Sequence, residues 1–211
     1  MISLADVTHV VVDSVPPSGF DWRTLSGTIV GFMLGLFADP LKAYFFRPKV
    51  TASFTANDHC IRQTPVATKD GIVAGVKQWV VRFEVKNGSR FLAKACRVYL
   101  DRVERVSTNE VELLLADRIA LKWAYIGYDP QDIPGTTGIY CDLVSTFDSG
   151  SPLTLHTDTF PVILIEAFKK PGIYRFRCFV AGDNFKPQII QVMVDWKGQT
   201  PLNDVWQEST D

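Results

Sequence analysis

Fifteen consecutive residues, Thr24 to Ala38, carry no charge, and they hold glycines at a spacing of four: Gly27, Gly31 and Gly35. As a helix this run is about 22 Å long, at about 1.5 Å per residue. That is short of the roughly 30 Å hydrocarbon core of a bilayer. Continuing to Phe46 supplies the missing length, with Asp39 and Lys42 near one headgroup layer, where Lys42 can snorkel. Trp22 and Tyr44 suit the two interfaces, and Arg47 follows at once. Pro40 is tolerated near a membrane helix end, or Asp39 caps a second short helix beginning there. Residues 22–46 are therefore expected to form one transmembrane helix, anchored by Trp22, Lys42, Tyr44 and Arg47. A buried soluble helix and a cleaved signal peptide are the competing readings. The segment before the run holds Asp6, Asp13 and Asp21 against Arg23, whereas a signal peptide starts positive.

Orientation follows from the flanking cations. Arg23 precedes the run, while Lys42, Arg47 and Lys49 follow it, which places the downstream part in the cytoplasm. Gly27, Gly31 and Gly35 make two overlapping G-x-x-x-G patterns, so the helix face they share predicts self-association into a homo-oligomer. Residues 1–21 read as a short tail: a Val-rich piece from Val7 to Val15, then Pro16-Pro17-Ser18-Gly19 as punctuation. His9 within it reads as incidental.

Beyond Arg47 the period changes from helical to two. Val50, Ala52, Phe54 and Ala56 alternate with Thr51, Ser53 and Thr55. Val76 to Lys86 sets Trp79, Val81, Phe83 and Val85 on one face and Val80, Arg82, Glu84 and Lys86 on the other. Asn87-Gly88 is a strong turn signal. Further strands are expected at Ala95–Val106, Val111–Leu115, Ile119–Tyr125, Gly138–Phe147, Phe160–Phe168, Ile173–Ala181 and Gln188–Trp196. Short strands at even spacing, with no long helix after residue 47, imply an all-β antiparallel sandwich over 47–200, followed by a C-terminal tail at 201–211.

The segment VVRFEVKNGSRFLAKACRVYL, Val80 to Leu100, resembles the paired B and C strands of bacterial immunoglobulin-like domains of the cell-adhesion-related type. GIYRFRCFVAGDN and QVMVDW are similar to the last hairpin of such sandwiches. The resemblance implies an immunoglobulin-like β-sandwich and an extracellular spacer or adhesion role. The order of one helix and then one sandwich also resembles uncharacterised bacterial membrane-anchored proteins, for which no activity is implied.

Charge excludes a strongly basic nucleic-acid coat: 22 basic residues meet 23 acidic ones, so no nucleic-acid partner is expected. Cys60, Cys96, Cys141 and Cys178 form no C-x-x-C pair and read as reduced core thiols, with two disulfides as the alternative in an oxidising compartment. His59 and His156 are too few for a triad or a metal set. Asp129, Asp132 and Asp142 lie in or near the turn-rich stretch GYDPQDIPGTTGIYCD, which lacks the ordered spacing of a calcium loop. Arg97, Arg102, Arg105, Arg175 and Arg177 suggest a basic sheet face solvated beside Glu neighbours. No catalytic, metal or cofactor residue is expected. The chain reads as a non-enzymatic single-pass membrane protein whose cytoplasmic sandwich binds a partner protein. The alternatives are an extracytoplasmic, membrane-tethered adhesion or envelope module with disulfides and, as a third and weaker class, an enzyme using the 127–142 loop.

Overall fold

The computed structural model describes residues 26–27, 29–33, 35, 38, 45–68, 71–147, 151–202 and 204–209. The chain divides into two compact units, Met1–Phe45 and Phe46–Asp211.

In the first unit the described backbone is helical at 26–27, 29–33, 35, 38 and 45. Gly27, Gly31 and Gly35 all lie on it, and a Cβ built at any of the three meets nothing within 4 Å. Among the described residues no helix is long and apolar enough to cross a membrane. Much of the expected 22–46 span, including Trp22, Lys42 and Tyr44, lies outside the described residues, as does the 1–21 tail.

The second unit is a β-sandwich of two antiparallel sheets. The first sheet holds β1 (Val50–Ser53), β3 (Gly71–Asn87), β9 (Gly138–Phe147) and β10 (Thr154–Leu155) in that order. In it β2 (Ile61–Thr68) pairs with β3, and β7 (Lys122–Trp123) with β9. The second runs β13 (Val205–Glu208), β12 (Gln188–Trp196), β11 (Gly172–Ala181), β4 (Ala93–Val106), β5 (Val111–Leu115). There β6 (Ile119–Ala120) and β8 (Gln131–Ile133) also pair with β4. Val81, Phe83 and Val85 from the first sheet meet Val98, Leu100, Phe176, Cys178 and Val192 from the second in one buried core. Period-two alternation produces this, because each strand gives every second side chain to the space between the sheets.

Four expectations are corrected. The strands on either side of Asn87-Gly88 are not paired with each other: β3 and β4 lie in different sheets, and residues 88–92 carry the chain from one to the other. Asn87 is fully buried there, where its amide donates to Phe91 O and Ile133 O at 2.6 and 3.0 Å. The strand expected over Phe160–Phe168 is a short helix, Ile163–Phe168. Leu164 and Phe168, four apart, are its buried pair, whereas Ile163 is 69% exposed; burial at a spacing of four favours a helical turn over alternation. The strand expected over Ile119–Tyr125 is divided, with β6 joining the second sheet and β7 the first. The sandwich does not end at residue 200: β13 pairs with β12 from Gln191↔Glu208 to Val194↔Val205, and Leu202 and Val205 are buried in the core.

Candidate functional site

A cleft of about 530 Å³ opens on the face of the first sheet that points away from the core. Its floor follows from the pleat. Since Val81, Phe83 and Val85 face inward, Gln78, Val80 and Arg82 face outward, and β2 contributes Arg62 and Thr64 beside them in register. Val80 is buried yet stands outside the core cluster, because this outer face is itself covered.

The centre of the floor is an ion pair. A register shift between β3 and β9 sets Val81 opposite Val144 and Arg82 opposite Asp142. Leu143 is thus the extra residue of a bulge, which lets Leu143 and Val144 both enter the core. Asp142 is left on the outer face between two cationic cross-strand neighbours, Arg82 on β3 and Lys122 on β7. Arg82 Nε lies 2.5 Å from Asp142 Oδ1, and the two side chains are only 6% and 7% exposed.

The cover is the turn after β7. Trp123 and Gly127 bridge to each other, with Gly127 at φ +126° and Tyr125 at φ +67°. Tyr125 is a bulky residue in the left-handed region, a conformation that persists only where the surroundings impose it. Arg82 supplies part of that hold: its Nη1 donates to the Tyr125 hydroxyl at 3.0 Å, and its guanidinium carbon lies 4.8 Å from the ring centroid. Burial opposes the Arg82 charge, but Asp142 and Tyr125 outweigh it and hold the pKa above the ordinary arginine value. Tyr125 itself is 76% exposed, against the inward placement its alternation with Trp123 suggests.

His156 closes one side. Its backbone is tied to both strands, accepting from Lys122 N and donating to Leu143 O. Its Nε2 is shut off from solvent without a hydrogen-bond partner. Burial lowers the pKa of His156 below 6.5; Asp142 opposes that shift, while Lys122 and Arg82 reinforce it. The imidazole is therefore neutral at physiological pH. The arrangement offers cations, a neutral imidazole and amide groups around a concave polar floor, which suits binding of an anion.

The acids expected near one loop have separate tasks. Asp132 Oδ1 accepts from the backbone N–H of Ala95, itself at φ +50°, while Asp142 sits in β9 under the cleft. Among the described residues no group of three or more acidic, His or Cys side chains could hold a metal ion. His59 stacks on Tyr140, with centroids 6.2 Å apart, and does not line the cleft that holds His156. Arg47 is exposed ahead of β1. All four cysteines are free and buried, and burial pushes each thiol above its usual pKa, Cys96 to about 11. Of the arginines expected on the second sheet's face, Arg175 pairs with Glu104 and Glu208, Arg102 with Glu104 and Arg177 with Asp101, while Arg105 donates to Pro171 O. In the sequence Arg82 lies between Val81 and Phe83 and Asp142 between Cys141 and Leu143, a local pattern that does not by itself bring the two charges together.

No family model matches the sequence, and no curated protein matches it. A solution structure of a protein assigned as late embryogenesis abundant (LEA) aligns over 81% of this chain and 83% of its own, at 13% identity and a TM-score of 0.31. At that TM-score the likeness carries no argument about fold or function.

Proposed function

We propose that the chain is a single-pass membrane protein whose immunoglobulin-like sandwich is a non-enzymatic recognition module on the cytoplasmic side. One observation carries the membrane reading. In the uncharged run Ile29, Val30, Phe32 and Met33 are helical and all exposed, Phe32 at 66%. A helix with apolar side chains on its surface is covered by a core or by lipid. Lys42, Arg47 and Lys49, just after the run, support the cytoplasmic orientation. Four free, buried thiols support it too, and count against the extracytoplasmic adhesion module with two disulfides.

The protein-binding part is supported by the end of the second sheet. β5 is an edge strand with Val111 and Leu113 exposed, and Val162 and Ile163 are exposed at the start of the neighbouring short helix. An edge strand with exposed apolar side chains is the kind of surface to which a partner strand adds.

The test is fractionation of cells making the full chain, followed by alkaline carbonate extraction and protease treatment of intact cells. Retention in the membrane pellet with the sandwich protected supports the proposal. Release into the carbonate supernatant overturns the anchor. Cleavage of the sandwich in intact cells, with two disulfides found under non-reducing isolation, overturns the orientation.

A further inference from the structure

We propose that the cleft over Arg82 and Asp142 binds a small phosphate monoester. The inference is independent of the membrane reading.

Charge is the first reason. Arg62, Arg82 and Lys122 line the cleft against one carboxylate, Asp142, which is already committed to Arg82. That leaves two positive charges, on Arg62 and Lys122, and neither side chain makes an ion pair or hydrogen bond among the described residues. On the second sheet Arg102, Arg175 and Arg177, by contrast, are matched by Glu104, Glu208 and Asp101. A phosphate monoester carries about −1.5 to −2 at pH 7 and three strong acceptor oxygens. It matches two cations, whereas a monocarboxylate leaves one of them unbalanced.

Hydrogen-bonding capacity and shape agree. Thr64 and Gln78 add polar groups to the lining, and His156, kept neutral by burial, brings no charge of its own. The volume of about 530 Å³ lies within the roughly 300–1,000 Å³ of small-molecule sites. Tyr125 and Ile126, both exposed at the mouth, give an apolar platform for the ester's organic part. Tyr125 holds its left-handed backbone there, and strain of this kind gathers at ligand clamps.

The test is calorimetric titration of the full chain in a neutral detergent with phenyl phosphate, with phenol and benzoate as controls. Saturable binding of phenyl phosphate is expected, with phenol silent and benzoate much weaker. Arg62→Gln and Lys122→Gln should each weaken binding by about tenfold, the loss of one charge-assisted hydrogen bond. Both side chains stand clear of the core, so circular dichroism should be unchanged. No saturable binding by the parent chain overturns the proposal, as does benzoate binding as tightly, or a double variant that binds undiminished. A water-soluble short-chain phosphatidic acid separates the sources. Tighter binding than phenyl phosphate assigns a lipid headgroup and weaker binding a soluble ester, and either supports the site.

Discussion

Arg82 and Asp142 face each other across β3 and β9, sixty residues apart in sequence, joined at 2.5 Å on the outer side of a sheet whose inner side is the core. The bulge at Leu143 makes the pairing possible, and the Tyr125 turn removes it from water. Removing one member leaves a buried charge uncompensated, which costs about 3–5 kcal/mol. Asp142→Ala and Arg82→Met should each lower the urea midpoint accordingly. The double variant Arg82→Met, Asp142→Leu should recover most of that loss, because no lone charge is left behind. Additive losses in the double variant would show that the pair is not a coupled unit.

His156 makes stability depend on pH in a defined window. Its folded pKa lies below the unfolded value of 6.5, so as pH falls the unfolded chain takes up the proton first. The contribution is fully present above about pH 6.5 and is lost as pH drops toward the folded pKa, with a slope of at most about 1.4 kcal/mol per pH unit. Asp142 on β9, Lys122 on β7 and Arg82 on β3 are the charged groups that act on it. Urea unfolding between about pH 8 and about pH 5 should show this acid limb. His156→Gln should flatten it, and an unchanged slope in that variant would assign the limb to other groups.

The strands were legible wherever one face meets the opposite sheet. Gln188–Trp196 and Gly138–Phe147 have the bounds that their alternation predicts, since Ile190, Val192 and Val194, or Cys141 and Leu143, must all reach one core. The cleft was not legible, because alternation assigns Val80 and Arg82 to an outer face without saying that a turn forty residues later covers it. Asn87-Gly88 misled for a related reason. Local turn chemistry favours a hairpin, but Asn87 satisfies Phe91 and Ile133 carbonyls, and tertiary partners decided its role. Phe160–Phe168 is apolar at nearly every position, so both periods fit it, and only the buried pair Leu164 and Phe168 selects the helix.

Asn87 should be among the least replaceable polar residues of the sandwich. Besides its two donated bonds, its Oδ1 accepts from Ser89 N and Ser89 Oγ at 3.2 and 2.9 Å. Asn87→Ala orphans buried carbonyls at about 1–3 kcal/mol for each unsatisfied group. Asn87→Asp keeps the acceptor, loses both donors and buries a charge, so it should be the worse of the two. Thermal melts that rank Asp above Ala in stability would contradict this account of the crossover between sheets.

On the membrane proposal, Gly27 and Gly31 give a test of self-association that leaves the chain's own packing alone. Their Cβ positions meet nothing within 4 Å, so leucine at both sites fits the isolated chain without clash. In a dimer packed through the G-x-x-x-G face the same side chains hold the two backbones apart and remove close contacts that lipid does not replace. Gly27→Leu with Gly31→Leu should therefore shift the balance toward monomer by about tenfold or more, the equivalent of about 1.4 kcal/mol. Leucine also raises helix propensity over glycine, so a weaker dimer reflects the contact and not a failing helix. Sedimentation equilibrium in detergent and crosslinking in bilayers measure the shift. An oligomeric state unchanged in both would remove the glycine face from the assembly.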